Sequence, residues 1–489
     1  MKDIMASYLV VGLGVSGQGV VSALTERGDS VQTVDDKKPA DYTLADINAE
    51  SFDFTRFDAV ITSPGFKPST PFVTHAREAG VDVISDVELA WRWHHADVQS
   101  WIGITGTNGK TTTTEMTTAI MQHAGSKAAA VGNIGHAITT ASVDPQLDTL
   151  VAELSSFQLH YTSSLALTCA AITNLADDHL DWHGGFENYA ADKAKIYRGV
   201  QRAVVYNADD ARVVERALAA RDAGQAASSA IFVGFTLGAP EEGQVGVEDG
   251  WIVDRSALSL GQQDAEGEDV PAVQQRIAPI SRFTHLTEPD GTVYPHLLAD
   301  ALCAYCLSRG AGVSAEDAIE ALAQFAPSGH RIQTVAETKS AIRFVDDSKA
   351  TNAHAAAASL SSYPAGRVIW ISGGLAKGAE FGDLIAEQKN RMKAAVIIGV
   401  DQRPMLEALD AHAPELPRTV IQPADSETTD SAAEPIMRQA VEAAAAYAQP
   451  GDVILMAPAC ASMDQFVSYA DRGDQFATYA QEWVAAHGE

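Results

Sequence analysis

Residues Gly103–Thr112 read GITGTNGKTT, and the reading of this stretch decides the fold. A β-rich run from Trp101 precedes it and a helix-forming run follows, so the order is strand, glycine turn, helix. Such a turn aims several backbone N–H groups at one point, and the helix N-terminus adds positive potential there. Gly106, Thr107, Asn108, Gly109, Lys110, Thr111 and Thr112 are therefore a candidate phosphate cradle. In such a loop the lysine reaches the outer phosphates of a nucleotide and the hydroxyl after it binds Mg²⁺. The strict pattern G-x-x-x-x-G-K-[ST] misses at one place, where Ile104 stands for its first Gly. The bland alternative is an ordinary turn with a surface lysine; the strand before and the helix after argue against it.

Working toward the amino terminus, Ser7–Gly12 (SYLVVG) reads as a buried strand and Val15–Arg27 as a helix closed by Gly28. Ser30–Val34 and Asp58–Thr62 read as further strands. The turn between the first strand and helix, Gly12–Gly17 (GLGVSG), fits G-x-G-x-x-G, with Asp35 and Asp36 about 20 residues on. Alone it points to a dinucleotide, but the same turn serves any pyrophosphate ligand, or close helix–strand packing only. A break at Trp91–Gln99 (WRWHHADVQ) precedes the phosphate-binding segment, and the pair His94–His95 there reads as linker decoration.

Toward the carboxyl terminus, strands are expected at Leu150–Leu154, Ala170–Asn174, Ala203–Asn207 and Ile231–Phe235. The stretch from Gly238 to Val270, rich in Gly, Glu, Gln and Asp, reads as an exposed insertion outside the core. Helices from Leu297 to about Phe325 end at Pro327–Ser328–Gly329. From His330 the alternation returns, with strands at Ile342–Asp346, Val368–Ser372, Ala395–Gly399 and Val453–Ala457. The expected fold class is α/β, with three α/β domains in series. These are a Rossmann-like domain over residues 1–98, a central P-loop mononucleotide-binding domain over 99–328, and a Rossmann-like C-terminal domain over 329–489.

Composition narrows the function classes. The 489 residues are 46% hydrophobic and 20% charged, which is globular. Against 64 Asp and Glu stand only 34 Lys and Arg, a formal net charge of −30. That balance disfavours nucleic acid or an anionic bilayer as a partner, because there is no basic excess to release counterions. No apolar run approaches the roughly 20 residues of a membrane span, so no membrane insertion is expected. The apolar start, Met1–Val21, lacks the basic flank of a signal peptide and suits strand, turn and helix better. Four cysteines make no disulfide framework, which points to a reducing, cytoplasmic setting. Cys303 and Cys306 lie in one helical run with no second pair, arguing against zinc, and Cys460 sits in a loop where it is open to reaction. No exposed apolar stripe calls for a dimer, so a monomer is expected.

Other polar segments follow predicted strands. Glu153 in Val151–Gln158 (VAELSSFQ) and His179 in Asn174–His179 (NLADDH) stand at strand ends, where a carboxylate and an imidazole beside a phosphate loop suit Mg²⁺. Asp346–Asn352 (DDSKATN) clusters Asp347, Lys349 and Thr351 at a helix start. Gly373–Gly378 (GGLAKG) and Ala457–Phe466 (APACASMDQF) repeat the theme at one sheet edge. For any one of these a solvated loop is the plainer reading; together they suit an anionic ligand.

GTNGKTT, VGNIG, ELSSFQL, NLADDHLDWH, GHR, DDSKATN and APACASMDQF, in that order along the whole chain, make the sequence resemble the Mur ligases, ATP-dependent amide-forming enzymes of peptidoglycan synthesis. GLGVSG, SSFQL and APACASMDQF resemble its D-glutamate-adding branch. That resemblance implies transfer of D-glutamate onto UDP-N-acetylmuramoyl-L-alanine through an acyl phosphate and a tetrahedral intermediate. It also implies a first domain for the UDP moiety, a second for ATP and a third for the amino acid.

Carried over by motif, Lys110 and Thr111 would hold the ATP phosphates and one Mg²⁺, and Glu153 and His179 would be metal ligands. A second Mg²⁺ would sit on a carbamylated lysine in Tyr189–Tyr197 (YAADKAKIY). Counting back from Ile196–Tyr197 selects Lys193 over Lys195. Asn133 and Ser155 would contact the sugar nucleotide, with Val15, Ser16, Ser63 and Gly65 on the first domain and His179 beside them. Asp36 and Lys37 stand where the family often has Thr and Arg near the uracil. His330, Arg331 and Asp347 would serve the nucleotide. Lys349, Thr351, Lys377, Ser462, Met463 and Tyr469 would line the D-glutamate pocket, with Lys349 near the reacting groups.

Two departures stand out. Where the family has an HNxxNxxA pattern for adenine, this chain has Leu297 and Asp300, and an ionised Asp accepts but does not donate. In GGLAKG, many members of the family have an acidic or small residue at the position of Leu375 or Ala376. Three rivals remain. A folylpolyglutamate synthase leaves about a hundred amino-terminal residues unexplained, a binding-only regulator would not need Lys110, Thr111, Glu153, His179 and Lys193, and a nicotinamide oxidoreductase leaves the phosphate loop idle.

Overall fold

Three sheets organise the described residues, and strands inside them such as Ala59–Thr62, Cys169–Ile172 and Val368–Gly373 are near-continuous apolar runs buried along their length, as strands covered on both faces require. A computed structural model describes residues 6–259, 275–286, 293–325, 329–423 and 434–487. It separates into two compact units, Met1–Gly291 with His296–Phe325, and Thr292–Pro295 with Ala326–Glu489.

The first unit holds two sheets. Strands β1 (Ser7–Val11), β2 (Ser30–Val34), β3 (Ala59–Thr62) and β4 (Asp82–Ile84) pair in parallel in the order β2-β1-β3-β4. The order reverses at β1, so the Gly12–Gly17 turn lies at a switch point, where open α/β sheets take ligands. The second sheet runs β13-β12-β11-β10-β9-β8-β5-β7-β6. Its strands are β5 (Ser100–Thr105), β6 (Ala128–Gly132), β7 (Thr149–Glu153), β8 (Cys169–Ile172), β9 (Ala203–Asn207), β10 (Ile231–Phe235), β11 (Gln244–Glu248), β12 (Trp251–Asp254) and β13 (Gln275–Pro279). Here the reversal falls at β5, with β7 and β8 on its two sides, so the GTNGKTT turn emerges between them. Trp101, Leu150, Val131, Ile172 and Val204 build the core beneath.

The second unit carries one sheet, ordered β14-β15-β19-β16-β17-β18. Its strands are β14 (Gln333–Glu337), β15 (Arg343–Asp346), β16 (Val368–Gly373), β17 (Met392–Ile398), β18 (Arg418–Val420) and β19 (Val453–Met456). Only β14 is antiparallel to its neighbour. Because β15, β19 and β16 are adjacent and parallel, the loops after them share one edge, above a core of Ile369, Ile371, Val396, Met456 and Phe476.

One expectation is overturned. The Gly238–Val270 stretch is not wholly an exposed insertion: β11 and β12 form an antiparallel hairpin that extends the second sheet and buries Val245, Ile252 and Val253. Asp249 (φ +51°) and Gly250 (φ +76°) make its two-residue turn. An Asp-Gly pair between alternating runs is a strong short-range hairpin signal; the surrounding Glu, Gln and Gly masked it. The GQQDAEGEDV half, Gly261–Val270, lies outside the described residues, as do Pro327 and Ser328. Among the described residues no helix is long and apolar enough to cross a membrane.

Candidate active site

The turn after β5 is built as its sequence requires. Gly106 (φ +152°) and Gly109 (φ +80°) occupy backbone regions that favour glycine. A Cβ on Gly106 would meet the Thr173 hydroxyl at 1.9 Å, and one on Gly109 would meet Asp300 Oδ1 at 2.2 Å. The loop is cross-braced by the segment after β8. Asn108 N–H donates to Asn174 Oδ1 (2.9 Å), Asn174 Nδ2 donates to Asn108 O (3.0 Å), and Thr173 Oγ1 donates to the same carbonyl (2.5 Å). Thr107 is bound to Tyr189 OH at 2.8 Å and accepts from Ala176 N–H at 2.9 Å. Lys110 opens the helix Lys110–His123 and folds back to donate to Thr107 O at 2.8 Å. Thr111 follows in the first turn, and Thr112 is fully buried.

Glu153 ends β7 beside this turn. It is buried; its Oε1 accepts from Asn133 Nδ2 at 2.9 Å, and its Oε2 is buried with no hydrogen-bond partner. A carboxylate oxygen left so is costly unless a cation or donor meets it. Asn133 N–H also donates to Glu153 O at 2.9 Å, so VGNIG and the end of β7 are held as one piece.

The two candidate lysines separate sharply. Lys193 Nζ is buried and donates to Gly106 O at 2.8 Å and Thr105 Oγ1 at 3.3 Å. Burial, with the Lys110 charge adding, holds its pKa well below the ordinary lysine value despite Asp178 and Glu153. Lys195 instead pairs with Asp192 Oδ1 at 2.8 Å and donates to His160 O at 2.9 Å. Burial works against ionised Asp192, but His160, His183 and Lys195 outweigh it and depress its pKa. Lys195 is thus spent on Asp192, and Lys193 is the amine that faces the phosphate loop.

His179 sits at φ +51° before the short helix Leu180–His183, with its ring 4.8 Å from that of Phe157 in the SSFQ segment. Asp300 is buried on the helix Pro295–Ala311 and accepts from Thr113 Oγ1 at 3.3 Å. Its carboxylate thus lies against the phosphate loop and the helix that follows it.

At the first sheet's switch point, Gly12 takes φ +91°, and a Cβ on Gly17 would lie 1.9 Å from Gly12 O, so helix and turn touch. Asp35, the acidic residue of the dinucleotide pattern, is engaged by protein backbone. Its Oδ2 accepts from Leu13 N–H (2.7 Å) and its Oδ1 from Lys37 N–H (2.8 Å) and Lys38 N–H (2.9 Å). These bonds, Leu13 foremost, lower its pKa, and they brace the turn from within. Asp36 accepts from Leu44 N–H at 2.8 Å, Lys37 is exposed, and Val15 projects from the turn at 86% exposure. Ser63 N–H donates to Val11 O (2.8 Å), and Gly65 O accepts from Trp182 Nε1 (3.3 Å).

In the second unit three loops are zipped together. Leu375 and Ala461 exchange backbone bonds of 2.8 and 3.1 Å, Gly373 N–H donates to Pro458 O (2.8 Å), and Ala459 N–H donates to Ala350 O (2.9 Å). This gathers Lys349, Thr351, Lys377, Ser462 and Met463 at one edge, with Lys349 Nζ 5.4 Å from the Tyr469 ring centre. Arg472, buried and unpredicted from sequence, donates to Ser348 Oγ (2.9 Å), Ser348 O (2.8 Å) and Cys460 O (3.1 Å). Asp347 is buried, receives the Ser359 hydroxyl and faces Arg331; burial pushes its pKa up to about 6. His330 bonds Asp346 Oδ2 at 2.6 Å. Cys460 is not activated as its loop position suggested, because burial raises its thiol to about 12.

Sequence reasoning also missed Asn174, Tyr189 and Asp86. The first two lie inside motifs already quoted, but only the fold shows their side chains reaching the phosphate loop.

Comparison with known proteins follows the same order along the chain. "Mur ligase MurD-like, N-terminal domain" matches residues 6–85, "Mur ligase middle domain" residues 104–239, and "Mur ligase, glutamate ligase domain" residues 330–460. A Bifidobacterium adolescentis protein named UDP-N-acetylmuramoylalanine–D-glutamate ligase is 54% identical, covering 99% of this chain and 98% of the relative. One of the same name from Streptomyces coelicolor is 42% identical over 97% of both chains. Among solved structures, UDP-N-acetylmuramate-alanine ligase MurC from Thermotoga maritima aligns with TM-score 0.53 at 14% identity, covering 98% of this chain and 100% of that one. MurF from Acinetobacter baumannii aligns with TM-score 0.52 at 15% identity, covering 97% and 90%. With the three domain descriptions matched in sequence order and full-length relatives more than half identical, the chain belongs to the Mur ligase family.

Proposed function

We propose that the chain joins D-glutamate to UDP-N-acetylmuramoyl-L-alanine with cleavage of ATP, a step of peptidoglycan precursor synthesis carried out in the cytoplasm by a monomer. The relatives named for this reaction match over nearly their whole length. The observation that carries the reading is the convergence on the turn after β5 of a glycine phosphate loop, a buried carboxylate with one unpartnered oxygen, and a buried amine of depressed pKa. Three domains, 1–98, 99–328 and 329–489, remain our division; the separate sheets support it.

In this reading the substrate carboxylate attacks the γ-phosphorus of ATP, giving an acyl phosphate and ADP. The D-glutamate amine then adds to the acyl carbon, and the tetrahedral intermediate expels inorganic phosphate to leave the amide. The reacting groups are anionic, so catalysis rests on positioning and charge neutralisation. Backbone N–H groups of Gly106–Gly109 and the Lys110 ammonium receive the phosphates; Asp300, His330, Arg331 and Asp347 serve the nucleotide. Val15, Ser16, Asp36, Lys37, Ser63, Gly65, Asn133, Ser155 and His179 orient the sugar nucleotide, and Thr351, Lys377, Ser462, Met463 and Tyr469 the glutamate. Lys349 supplies positive charge next to the attacking amine.

Two Mg²⁺ ions fit the donor set: Thr111 and Glu153 for one, His179 and a carbamylated Lys193 for the other. The unpartnered Glu153 Oε2 supports this. Among the described residues no group of three or more His, Cys, Asp or Glu could hold a metal ion; Mg²⁺ takes one or two protein carboxylates and completes its shell with phosphates and water. When bound, Mg²⁺ neutralises the transferring phosphoryl oxygens. A neutral Lys193 amine adds to CO2 with loss of one proton, giving the carbamate, and its depressed pKa keeps that amine available.

The test is phosphate release from ATP and Mg²⁺ with UDP-N-acetylmuramoyl-L-alanine, adding D-glutamate, L-glutamate, glycine or L-lysine singly. Release with D-glutamate alone is expected. Tight ATP binding without release for any amino acid would sink the proposal.

A further inference from the structure

A buried carboxylate outside the described machinery joins the two halves of the sugar-nucleotide site. Asp86 opens the helix Asp86–Trp93 and is only 4% exposed. Its oxygens accept from Gln158 Nε2 at 3.2 and 3.4 Å, and Oδ1 accepts from Val87 N–H at 3.0 Å. The Ser16 side chain, in the GLGVSG turn, lines the same recess as Asp86 and helps stabilise the charged carboxylate. Ser63, Gly12 and Gly17 line it too. On the far side, Gln158 Oε1 accepts from Ser155 N–H and Ser155 Oγ, each at 3.0 Å, while Gln158 N–H donates to Ser155 Oγ at 3.2 Å. A hydrogen-bonded chain therefore runs Asp86–Gln158–Ser155, and Ser16 lines the recess on the Asp86 side. Ser16 follows β1 and Ser155 follows β7, in two different sheets.

The donor and acceptor roles along this chain are determined. Gln158 spends its carbonyl on Ser155 and its amide N–H on Asp86, so Asp86 is the acceptor toward Gln158. Desolvation opposes its ionisation, so a buried carboxylate here is expensive unless these bonds are made. A hydrophobic pair would pack the same space at lower cost. What the polar chain adds is a defined register between the turn that carries Ser16 and the helix cap that carries Ser155.

The geometry points to Asp86 and Gln158 as positioning residues for UDP-N-acetylmuramoyl-L-alanine, holding its nucleotide end at Ser16 and its muramoyl end at Ser155 in fixed relation. This rests on the sugar-nucleotide site proposed above. Neither residue touches the reacting atoms, so their loss acts on binding of this one substrate.

The experiment measures KM for each of the three substrates and the thermal midpoint in Asp86→Asn, Gln158→Glu and the double variant. Asp86→Asn replaces one of the two oxygens that accept from Gln158 Nε2 with an N–H donor, and Gln158→Glu sets two carboxylates together. Each is expected to raise KM for the sugar nucleotide by about tenfold or more, with KM for ATP and D-glutamate within about twofold. In the double variant the amide introduced at position 86 donates to the carboxylate introduced at position 158. That carboxylate still accepts from Ser155, so every group regains a partner. The double variant's sugar-nucleotide KM is expected within about threefold of the parent. If Asp86→Asn does not fold, the double variant carries the test alone, since its partners are matched. A lowered midpoint with all three KM values unchanged would overturn the proposal, leaving a structural role only. So would a folded double variant no better than the worse single one. Ser63→Ala separates this from the site itself: if it too leaves the sugar-nucleotide KM unmoved, the site assignment fails as well.

Discussion

Lys193 and Asp347 show how burial sets chemistry one residue at a time. Lys193 donates to Gly106 O and Thr105 Oγ1, neither of them a carboxylate; its neutral form is favoured because an ammonium there is poorly solvated. Lys193→Ala is expected to lose at least about 100-fold in kcat, without rescue by high bicarbonate but with partial rescue by short carboxylic acids that fill the carbamate's place. Parent-like turnover in a phosphate-release assay would remove Lys193 from the mechanism. Asp347 has the opposite sign. Its folded pKa is raised to about 6 against an ordinary 3.8, so the native state binds more protons than the unfolded chain between those values. Its contribution to stability is therefore most favourable below about pH 4 and is lost as pH rises through about 6. Asp347→Asn keeps an acceptor for Ser359 and removes the charge. Its stability relative to the parent is expected to improve as pH rises from 4 to 7.5, by on the order of 3 kcal/mol, while activity falls. Parallel urea midpoints across that range would show the group to be unstrained.

Element by element, the strand–turn–helix units were legible because their apolar runs, glycines and caps agree. Ser30–Val34 and Val15–Arg27 appear with the bounds the sequence implies. The β11–β12 hairpin was not, since its acidic and glycine-rich surroundings dominated the composition while its buried residues are few, Val245, Ile252 and Val253 among them. Ile252 is 1% exposed on β12. Ile252→Ala should cost about 2–4 kcal/mol by denaturant unfolding. A loss under about 0.5 kcal/mol, the usual range for a surface position, would restore the reading of this stretch as an exposed insertion. The phosphate loop is the converse case. Its glycines were visible, but Thr173 and Asn174, from the loop after β8, and Tyr189, from the helix Phe186–Ala194, which brace it, are distant in sequence.

For the molecule as a whole, charge is the dominant global property. A net charge of −30 repels ATP, the sugar nucleotide and glutamate at long range, while the cations that receive them act locally. Raising ionic strength from about 10 to about 150 mM shortens the Debye length from about 30 to about 8 Å. kcat/KM for the sugar nucleotide is therefore expected to rise about two- to fivefold over that range, measured at saturating ATP. A steady fall with salt would mean that local positive potential governs the encounter.

Sequence alone determined the order of the α/β units, the positions of the phosphate loop and the polar strand-end loops, and the family, because glycine turns, apolar runs and motif order are local properties. Tertiary structure alone decided which lysine is buried against Gly106 and which is spent on Asp192, that Asp35 braces its own turn, and that Asp86 and Gln158 tie two sheets together. Those outcomes depend on desolvation and on partners far apart in the chain, and neither is written in the spacing of residues along it.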